Sequence, residues 1–434
     1  MRYSSGPVRA RERIASLDIL RGIAVLGILV MNVYAFAMPF YAYGNPLAGG
    51  GTELHNLGTW FVTHLFFDLK FMSIFSMLFG AGIILMANRA AAREARFATI
   101  FYRRQFWLML IGLAHAYLIW FGDILFFYAL CGMLVYLLHK RTARTQLLVA
   151  CLMLPVVPLL NFGIGTYTTE LKQRVASYEQ RLAAGEELGE QEQAAIEEWQ
   201  ELKPLMLPGD EEYAADVAAY TGSYADAMSY RVPFVASLHS EGFLFFGLWR
   251  IGGLMLIGMA LMQLGVLDAS RSDGFYRSMV LAGYGIGMPL VVFSAVSLQA
   301  HDWDPLWTFR IGYVPNYFGS VAMAFGHIGV TMLIVRSGWW AGLMARLAAV
   351  GRMALSNYLL QSVVMTTIFY GHGLGWYTQF SRLEQMGFVA GLLAVQLVVS
   401  PWWLSRFRFG PVEWLWRSLT YWRRQPLRRS AASA

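Results

Sequence analysis

Ionisable and amide side chains inside apolar segments are the residues of this sequence that could do chemistry. In the segment LDILRGIAVLGILVMN, Asp18 is followed by Arg21 and then by Asn32. At about 100° per residue of a helix, the three side chains fall within about 60° of one another, and Asn32 lies about 21 Å beyond Asp18. Together they could bind a polar or anionic substrate. Alternatively, the charge pair anchors one end of the helix and the amide bonds to a neighbouring helix.

A lysine stands near the middle of the next apolar segment, which contains FFDLKFMSIFSMLFGAG. An ammonium group at the centre of a bilayer costs at least about 2.5 kcal/mol, so Lys70 needs a partner or a water-filled cavity. Asp68 lies about 200° away on a regular helix, so it could pair with Lys70 only if the helix were broken. His64 and Asp68 share one face. Alternatively, Lys70 extends to the membrane surface from a tilted helix.

A histidine and an aspartate flank the turn in GLAHAYLIWFGDILFFYALCGML. Gly122 and Asp123 predict a tight turn, and His115 lies about two helical turns before it. A carboxylate that contacts an imidazole fixes its tautomer and stabilises the imidazolium, so the two could form a general base and its orienting partner. Asp123 could equally cap the following helix, and His115 could be a hydrogen-bonded core residue.

Other sites of known chemistry are not predicted. The sequence contains no Walker A loop, HExxH or GxSxG motif, so nucleotide hydrolysis and metalloprotease chemistry have no support. Cys131 and Cys151 lie in apolar segments and indicate neither a disulfide nor a thiol-metal site. We therefore expect no metal.

The composition indicates what must position these residues. Of the 434 residues, 57% are hydrophobic and only 14% are charged, whereas soluble domains carry about 25% charged residues. The chain is predicted to be an all-α polytopic membrane protein with the lipid bilayer as its partner. The net charge of +7 arises from short basic clusters beside apolar runs, which is typical of membrane topology rather than of nucleic-acid binding.

Ten segments are long and apolar enough to be candidate spanning helices. They cover about 17–38, 58–87, 101–121, 123–138, 145–163, 241–264, 276–297, 311–335, 350–369 and 385–404. The first is predicted to be an uncleaved helix rather than a signal peptide, since it is long and carries charges. With the N-terminus inside, the inner segments hold 24 of the 34 Lys and Arg residues. Both termini are therefore predicted to be cytoplasmic.

The chain divides into three predicted parts. Residues 1–163 and 241–434 each form a bundle of five helices, and the second includes a basic cytoplasmic tail. Residues 164–240 form an acidic helical periplasmic insertion with 14 acidic and five basic residues. The insertion is either a solvated helical cap or a lid over an outward-facing site.

Five ordered motifs resemble those of a known family. The segments are LDILRGIAVLGILVMN, KFMSIFSMLFGAG, GLAHAYLIWFGDIL, GRMALSNYLLQS and GPVEWLWRSLTYW, and together they resemble the YeiB family of bacterial inner-membrane proteins (domain of unknown function 418). The LDxxRG opening and the multi-helix architecture are also similar to a broader group of transmembrane acyltransferases. That group includes bacterial cell-surface carbohydrate O-acetyltransferases and the lysosomal heparan-alpha-glucosaminide N-acetyltransferase. The resemblance implies transfer of an acyl group from cytoplasmic acyl-coenzyme A to a hydroxyl or amine across the membrane.

The chain departs from that broader group at its catalytic histidine. In the O-acetyltransferases a histidine follows the LDxLR aspartate by fourteen residues, and here that position is Asn32. The heparan-type enzyme uses a histidine before its second helix, a motif that neither His55 nor His64 matches. His115 and Asp123, which match the YeiB-like pattern, are therefore the expected catalytic residues.

The leading hypothesis is thus a multi-pass inner-membrane acyltransferase with acyl-CoA as donor and a glycan, lipid or small molecule as acceptor. Arg21 and Lys70 would steer the anionic donor or stabilise the oxyanion. Asp18 would hold Arg21, and Asn32 would bond to the acyl carbonyl or the acceptor. A proton-coupled transporter that uses the same buried charges is the main alternative. A non-catalytic membrane partner is a third.

Overall fold

The computed structural model describes residues 14–91 and 97–429. Within these ranges the named elements are all helical, and one isolated antiparallel bridge joins Phe407 to Arg428. This organisation confirms the all-α class predicted from the composition.

The first half of the chain contains nine α-helices and two 3₁₀ turns within the described ranges. These are α1 (Ala15–Ala37), a 3₁₀ turn (Phe40–Tyr43), α2 (Leu54–Phe66), α3 (Lys70–Ala91), α4 (Phe97–Leu118), α5 (Leu125–Val135), a 3₁₀ turn (Tyr136–Leu138), α6 (Ala143–Met153), α7 (Val156–Ala183), α8 (Glu190–Met206) and α9 (Asp210–Thr221).

The second half, in the same described part of the chain, adds nine α-helices and two π-helical segments. These are α10 (Tyr224–Ser237), a π segment (Leu238–Ile251), α11 (Gly252–Gln263), α12 (Asp273–Ala300), α13 (Pro305–Trp307), a π segment (Thr308–Gly312), α14 (Val314–Ser337), α15 (Ala341–Arg352), α16 (Ala354–Phe369), α17 (Arg382–Arg406) and α18 (Pro411–Tyr421).

Helices long and apolar enough to cross a membrane make up most of the fold. Among the described residues there are seven, at Ala15–Ala37, Leu54–Ala91, Ala143–Ala183, Tyr224–Gln263, Asp273–Ala300, Val314–Ser337 and Arg382–Arg406. Leu125–Leu138 and Ala354–Phe369 are shorter apolar helices, and α4 covers the remaining predicted segment. Each of the ten predicted segments therefore coincides with helix, and the polytopic fold is confirmed. The orientation of the termini stays a prediction.

The helical bundle has two ends, which we name by their chemistry. The basic face is the end where α1 begins, and it carries α18 and the basic connections. The insertion face is the opposite end, where α1 finishes and residues 164–240 project. There the backbone N–H of Thr378 donates to the carbonyl of Ala37 (2.8 Å), and that of Arg382 donates to the carbonyl of Gly50 (2.9 Å). These bonds tie the loops of the insertion face to one another.

Two of the family-like motifs pack α1 against α15 through glycine. Gly22 of LDILRG and Gly351 of GRMALS face each other, and a Cβ on Gly351 would overlap the carbonyl oxygen of Asp18. A Cβ on Gly22 would likewise overlap the carbonyl oxygen of Leu347. Small residues allow close approach of helix backbones in membranes. This crossing fixes the position of Asp18 and Arg21 relative to α15 and α16.

Residues 164–240 comprise most of α7, all of α8 and α9, and α10 with the start of the π segment that follows it. Helix α8 packs on α7 through Trp199, which forms a buried cluster with Leu171 and Val175 of α7. The chain enters and leaves this part through helices that continue into the apolar bundle. The predicted division into three domains stays a prediction.

Candidate functional site

A cavity of about 260 Å³ opens among α1, α3, α4, α16 and α18 near the basic face. Its volume is close to the lower end for ligand pockets, about 300 Å³. Two acidic side chains, Asp18 and Glu413, line it. The arginines that line it come from five different helices and are Arg21, Arg89, Arg104, Arg352 and Arg417. Counted over the described residues alone, the cavity lining therefore has a formal excess of three positive charges, which suits an anionic ligand.

Neighbouring side chains orient two of these arginines, Arg21 and Arg104. Nη1 of Arg21 lies 3.0 Å from Oδ1 of Asp18, one turn earlier on α1. The guanidinium carbon of Arg104 lies 3.7 Å from the centre of the Trp416 ring, a cation–π contact that joins α4 to α18. Arginines held in this way lose less conformational entropy when they bind an anion.

The GPVEW motif attaches α18 to the rim of the cavity. Glu413 is buried, and it accepts hydrogen bonds from the backbone N–H of Ser356 (3.0 Å) and from the Ser356 hydroxyl. Ser356 lies in the first turn of α16, so the carboxylate caps that helix. Burial raises the pKa of Glu413, although both bonds from Ser356 oppose the rise. A Cβ on Gly410 would overlap the same carboxylate, which explains the glycine at that position.

Deeper in the bundle, His115 contacts both Asp123 and Ser362, and we call these three side chains the triad. Ser362 is not predicted from the sequence. Nδ1 of His115 lies 2.9 Å from Oδ1 of Asp123, and Nε2 lies 2.8 Å from Oγ of Ser362. His115 and Ser362 are each only 1% exposed. With a carboxylate at Asp123 and a neutral imidazole at His115, the carboxylate can only accept, so Nδ1 carries the proton and Nε2 accepts from the serine hydroxyl. The other oxygen of Asp123 accepts from the N–H of Phe126 (2.8 Å) and so also caps α5.

Tyr358 lies between this triad and the cavity. Its ring centre is 5.1 Å from that of His115, and its hydroxyl donates to the carbonyl of Gly122 (2.9 Å). Tyr358 also lines the cavity, together with Ile124 and Leu125 from the residues that follow Asp123. The inner wall of the cavity is therefore built from residues adjacent to the triad.

Asn32 lies on the face of α1 that carries the cavity residues. Arg21, Val25 and Ile28 of this face line the cavity, and Asn32 follows Ile28 by four residues, one turn further toward the insertion face. Asn32 is partly exposed. The structure thus confirms the shared face but leaves the amide one turn beyond the lining.

Lys70 belongs to a different buried cluster and does not line this cavity. Helix α2 ends at Phe66 and α3 begins at Lys70, with Leu69 between them in the left-handed region (φ 60°). Nζ of Lys70 donates to the carbonyl of His64 (2.7 Å) and to Oδ1 of Asn316 (3.1 Å). The amide of Asn316 in turn donates to Asp68 (2.8 Å). The break therefore links the lysine and the aspartate through one asparagine.

Further polar contacts surround that break. Nδ1 of His64 lies 3.3 Å from Asp68, which also accepts from the hydroxyls of Tyr43 (3.1 Å) and Tyr313. Arg250 is fully buried beside it and donates to Ser320 (2.9 Å). The ring of Phe71 packs on Gly27, near the midpoint of α1, so this cluster lies at mid-depth in the bundle.

The insertion is attached directly above the triad. The guanidinium of Arg231 in α10 is buried and donates to the carbonyls of Tyr117 and Ile119 (both 2.8 Å), at the end of α4. The Tyr224 hydroxyl donates to the carbonyl of Leu118 (2.8 Å). These three carbonyls follow His115 within four residues. The insertion therefore closes the bundle over the His115 end of α4.

Sequence reasoning predicted His115, Asp123, Asp18 and Arg21 but missed other members of the site. Ser362 and Arg352 both lie in GRMALSNYLLQS, where the serine ends the motif and the arginine belongs to a basic cluster that predicts topology. Arg104 and Arg417 likewise belong to basic clusters that predict topology. Basic residues that flank a span serve both purposes, and composition alone does not separate them.

Comparisons with known proteins give consistent similarities. Residues 261–423 match the family model described as "Protein of unknown function (DUF418)". The chain is 33% identical to "Uncharacterized protein YeiB" of Escherichia coli (strain K12), with 94% of this chain and 96% of that protein covered. It is 29% identical to "Uncharacterized protein YxaH" of Bacillus subtilis (strain 168), with 97% of each chain covered. Among solved structures, none matches.

Proposed function

The chain belongs to the DUF418 family that includes YeiB, and on that premise we propose that it is a membrane-embedded acyltransferase of the bacterial inner membrane. One observation carries the proposal. A cavity lined by five arginines ends against residues that adjoin a buried His–Asp pair. An anion-binding chamber next to a base is what transfer from a phosphate-bearing acyl carrier requires.

The donor that fits this cavity is an acyl thioester of coenzyme A. Its phosphates match guanidinium groups, which bind phosphate oxygens in bidentate fashion. The cavity volume of about 260 Å³ suits the acyl and pantetheine part, and the nucleotide would lie outside it on the basic face. The positive-inside bias supports a cytoplasmic location for the basic face, and acyl-CoA is made in the cytoplasm.

The residues of the site have distinct roles in this reaction. His115 takes the proton of the group that attacks the thioester carbonyl, and Asp123 holds its tautomer and stabilises the imidazolium. Arg21, fixed by Asp18, binds the donor's negative charge. Asn32, one turn further, lies on the path toward the acceptor. The carbon–sulfur bond breaks, coenzyme A leaves as a thiol, and a hydroxyl or amine acceptor gains the acyl group.

Donor binding tests the first half of the proposal. We would measure the affinity of the purified full chain for coenzyme A, dephospho-coenzyme A and pantetheine by calorimetry. Affinity should fall in that order. Arg21→Gln should weaken coenzyme A binding by about tenfold or more, since it removes charge-assisted hydrogen bonds. The double variant Asp18→Asn/Arg21→Gln should weaken it similarly, which excludes repulsion by the remaining carboxylate as the cause.

Arg346→Gln is the matched control, because Arg346 is exposed on α15 near the same face and does not line the cavity. Its affinity for coenzyme A should equal that of the wild type. Equal affinity for pantetheine and coenzyme A would contradict the assignment of the arginines.

Transfer tests the second half. Radiolabelled acetyl-CoA would be incubated with the protein and a panel of periplasmic glycans and membrane lipids. We expect protein-dependent labelling of an acceptor, and His115→Gln should reduce the rate by about 10³-fold while coenzyme A affinity is retained. No coenzyme A binding and no transfer across the panel would reject the acyltransferase.

A second candidate function, proton-coupled transport, is favoured by a separate observation. The helix that runs from Leu54 to Ala91 is broken at Leu69 beside buried Asp68 and Lys70. A π-helical segment, Thr308–Gly312, ends next to Tyr313 in the same cluster. Interrupted helices at mid-depth form the substrate sites of many transporters, and π segments are frequent at functional sites.

Flux in proteoliposomes with an imposed pH gradient separates the two candidates. A transporter should lose flux in the charge-neutral pair Asp68→Asn/Lys70→Met and keep it in His115→Gln. An acyltransferase should show the opposite pattern in the transfer assay. If neither variant changes either measurement, the third hypothesis, a non-catalytic membrane partner, is favoured.

A further inference from the structure

Both ring nitrogens of His115 already have a side-chain partner, Asp123 on one side and Ser362 on the other. An outside acceptor could not reach the basic nitrogen without displacing the serine. We infer that Ser362 is itself the first nucleophile and carries the acyl group as a serine ester during transfer. This inference rests on the proposed acyltransferase function and adds a catalytic residue and a covalent step to it.

The geometry is that of a serine activated by a histidine and an aspartate. The serine oxygen lies 2.8 Å from Nε2, and the aspartate oxygen lies 2.9 Å from Nδ1. Both distances are within hydrogen-bond reach, so the serine proton can pass to Nε2 while the aspartate orients the imidazole. The three side chains come from α4, the turn before α5, and α16, so the fold assembles them across 247 residues of sequence. Such triads are recognised by geometry rather than by sequence position.

Several other buried hydroxyls on the helices of this bundle donate to their own backbone, which provides a comparison for Ser362. Ser73, Thr331 and Thr366 each donate to the carbonyl four residues earlier in the chain, at 2.7 to 2.9 Å. This is the common arrangement for Ser and Thr within membrane helices. The Ser362 oxygen lies 3.4 Å from the corresponding carbonyl of Tyr358 but 2.8 Å from the imidazole. Its hydroxyl is therefore directed to His115.

The serine also lies at the end of the path from the cavity. Leu355 and Tyr358 of α16 line the cavity, and Ser362 follows Tyr358 by four residues on the same face, about 6 Å further along the helix. Tyr358 separates the two, and its rotation would open a path for the thioester. A donor anchored by the arginines could then extend its acyl end to Ser362.

The two half-reactions balance without a further reactant. Oγ of Ser362 attacks the thioester carbonyl carbon while its proton passes to Nε2 of His115. The carbon–sulfur bond then breaks, the departing sulfur takes that proton, and a serine ester remains. In the second half, an acceptor hydroxyl or amine gives its proton to Nε2 and attacks the ester carbon. Ser362 leaves and recovers the proton, so the enzyme is regenerated.

The experiment is acylation without any acceptor. The purified full chain would be incubated with radiolabelled acetyl-CoA, quenched in acid, and analysed by intact mass and peptide mapping. We expect one acetyl group per chain, on the peptide that contains Ser362. Ser362→Ala should carry no label and should transfer about 10³-fold more slowly, with unchanged affinity for coenzyme A. Ser362→Cys should retain a label, as a thioester that neutral hydroxylamine releases.

Thr366→Ala is the matched control, since it removes a buried hydroxyl one turn further along α16 without a contact to His115. It should label and transfer like the wild type, and thermal melting of each variant would verify folding.

The outcomes separate this inference from the proposed function. If Ser362→Ala transfers within about threefold of the wild-type rate, or if the label lies only on another residue, direct transfer is correct and the inference is overturned. In that case the proposed acyltransferase function is retained. If the wild type neither binds coenzyme A nor transfers an acyl group, the proposed function fails, and the inference fails with it. Labelling at Ser362 supports the inference even before the acceptor is identified.

Discussion

At the scale of single residues, the partners of His115 give it chemical significance. A histidine in an apolar helix is commonly a hydrogen-bonded core residue, but this imidazole contacts a carboxylate at one nitrogen and a hydroxyl at the other. All three side chains are buried, so water does not compete for these bonds. Low local polarity strengthens such interactions and makes any unpaired member costly. The arrangement is therefore sensitive to small changes in any one member.

Asp123→Asn should separate the two roles of this residue. The amide oxygen can still accept from the N–H of Phe126 and cap α5, but it no longer stabilises a protonated His115. We expect the transfer rate to fall by about 10³- to 10⁴-fold, while the melting temperature stays within about 2 °C of the wild type. Asp123→Ala should lower both, because it also removes the cap. An Asp123→Asn variant with wild-type activity would show that Asp123 acts only as a cap.

The parts of the site that the sequence predicted are those that local spacing controls. Asp18 and Arg21 are three residues apart and His115 and Asp123 eight, so the helix and turn geometry alone places each pair within reach. Ser362 is 247 residues from His115, and only the tertiary packing of the bundle brings them together. A helical face can be derived from one sequence, whereas the neighbour that it faces cannot.

At the scale of elements, the helix break at Leu69 shows a similar limit. The position of Lys70 within an apolar segment predicts that it needs a partner. The helical spacing predicts that Asp68 can approach Lys70 only if the helix is broken. The sequence FFDLKF contains no Gly or Pro to signal such a break. A leucine in the left-handed region costs about 1–2 kcal/mol. The bonds that Lys70 donates to Asn316 and to the carbonyl of His64, and the bond that Asn316 donates to Asp68, offset this cost. Tertiary contacts therefore decide where this helix ends.

The crossing of α1 and α15 should not tolerate the addition of a single methyl group at its glycines. Gly351→Ala forces a Cβ into the carbonyl oxygen of Asp18, so the two backbones must separate, at a cost of about 3 kcal/mol. We expect a lower melting temperature and weaker coenzyme A binding, since Arg21 moves with α1. Gly391→Ala in α17 is the control, as its Cβ meets open space, and it should match the wild type. Equal stability of the two variants would contradict a tight crossing.

The insertion is joined to the bundle by a contact that should respond to pH. The Tyr377 hydroxyl donates to Asp216 of α9 (2.5 Å), and burial raises the pKa of Asp216 to about 6. The folded state thus favours the protonated carboxyl, so this contribution to stability is full below the unfolded pKa of about 3.9 and is lost as pH rises through about 6.

Asp216→Asn, which cannot ionise, tests this dependence. Its melting temperature should match that of the wild type at pH 4.5 and exceed it by about 2–4 °C at pH 7.5. Glu211→Gln removes an exposed charge from the same helix and should leave the wild-type pH profile unchanged. A variant Asp216→Asn that is less stable than the wild type at pH 7.5 would show that the ionised carboxylate is the stabilising form.

At the scale of the whole molecule, the charges at the two ends of the bundle suit different tasks. The basic face carries the arginine-lined cavity, and the insertion face carries 14 acidic and five basic residues within 164–240. Basic connections both direct topology and attract an anionic donor. The triad lies between the two faces, beyond the inner wall of the cavity and below the insertion. The proposed acyl transfer across the membrane needs this placement, with entry of the donor at the basic face and access of the acceptor from the insertion face.

Cysteine labelling in intact bacterial cells would test that orientation. The native cysteines, buried Cys131 and exposed Cys151, would first be replaced by Ala and Ser. Glu187→Cys, in the connection between α7 and α8, and Arg346→Cys, on α15, are both exposed positions at opposite ends of the bundle. A membrane-impermeant maleimide should label Glu187→Cys once the outer membrane is permeabilised, and Arg346→Cys only after the inner membrane is disrupted. The reverse pattern would place the arginine cavity in the periplasm, where acyl-CoA is absent, and would exclude acyl-CoA as the donor.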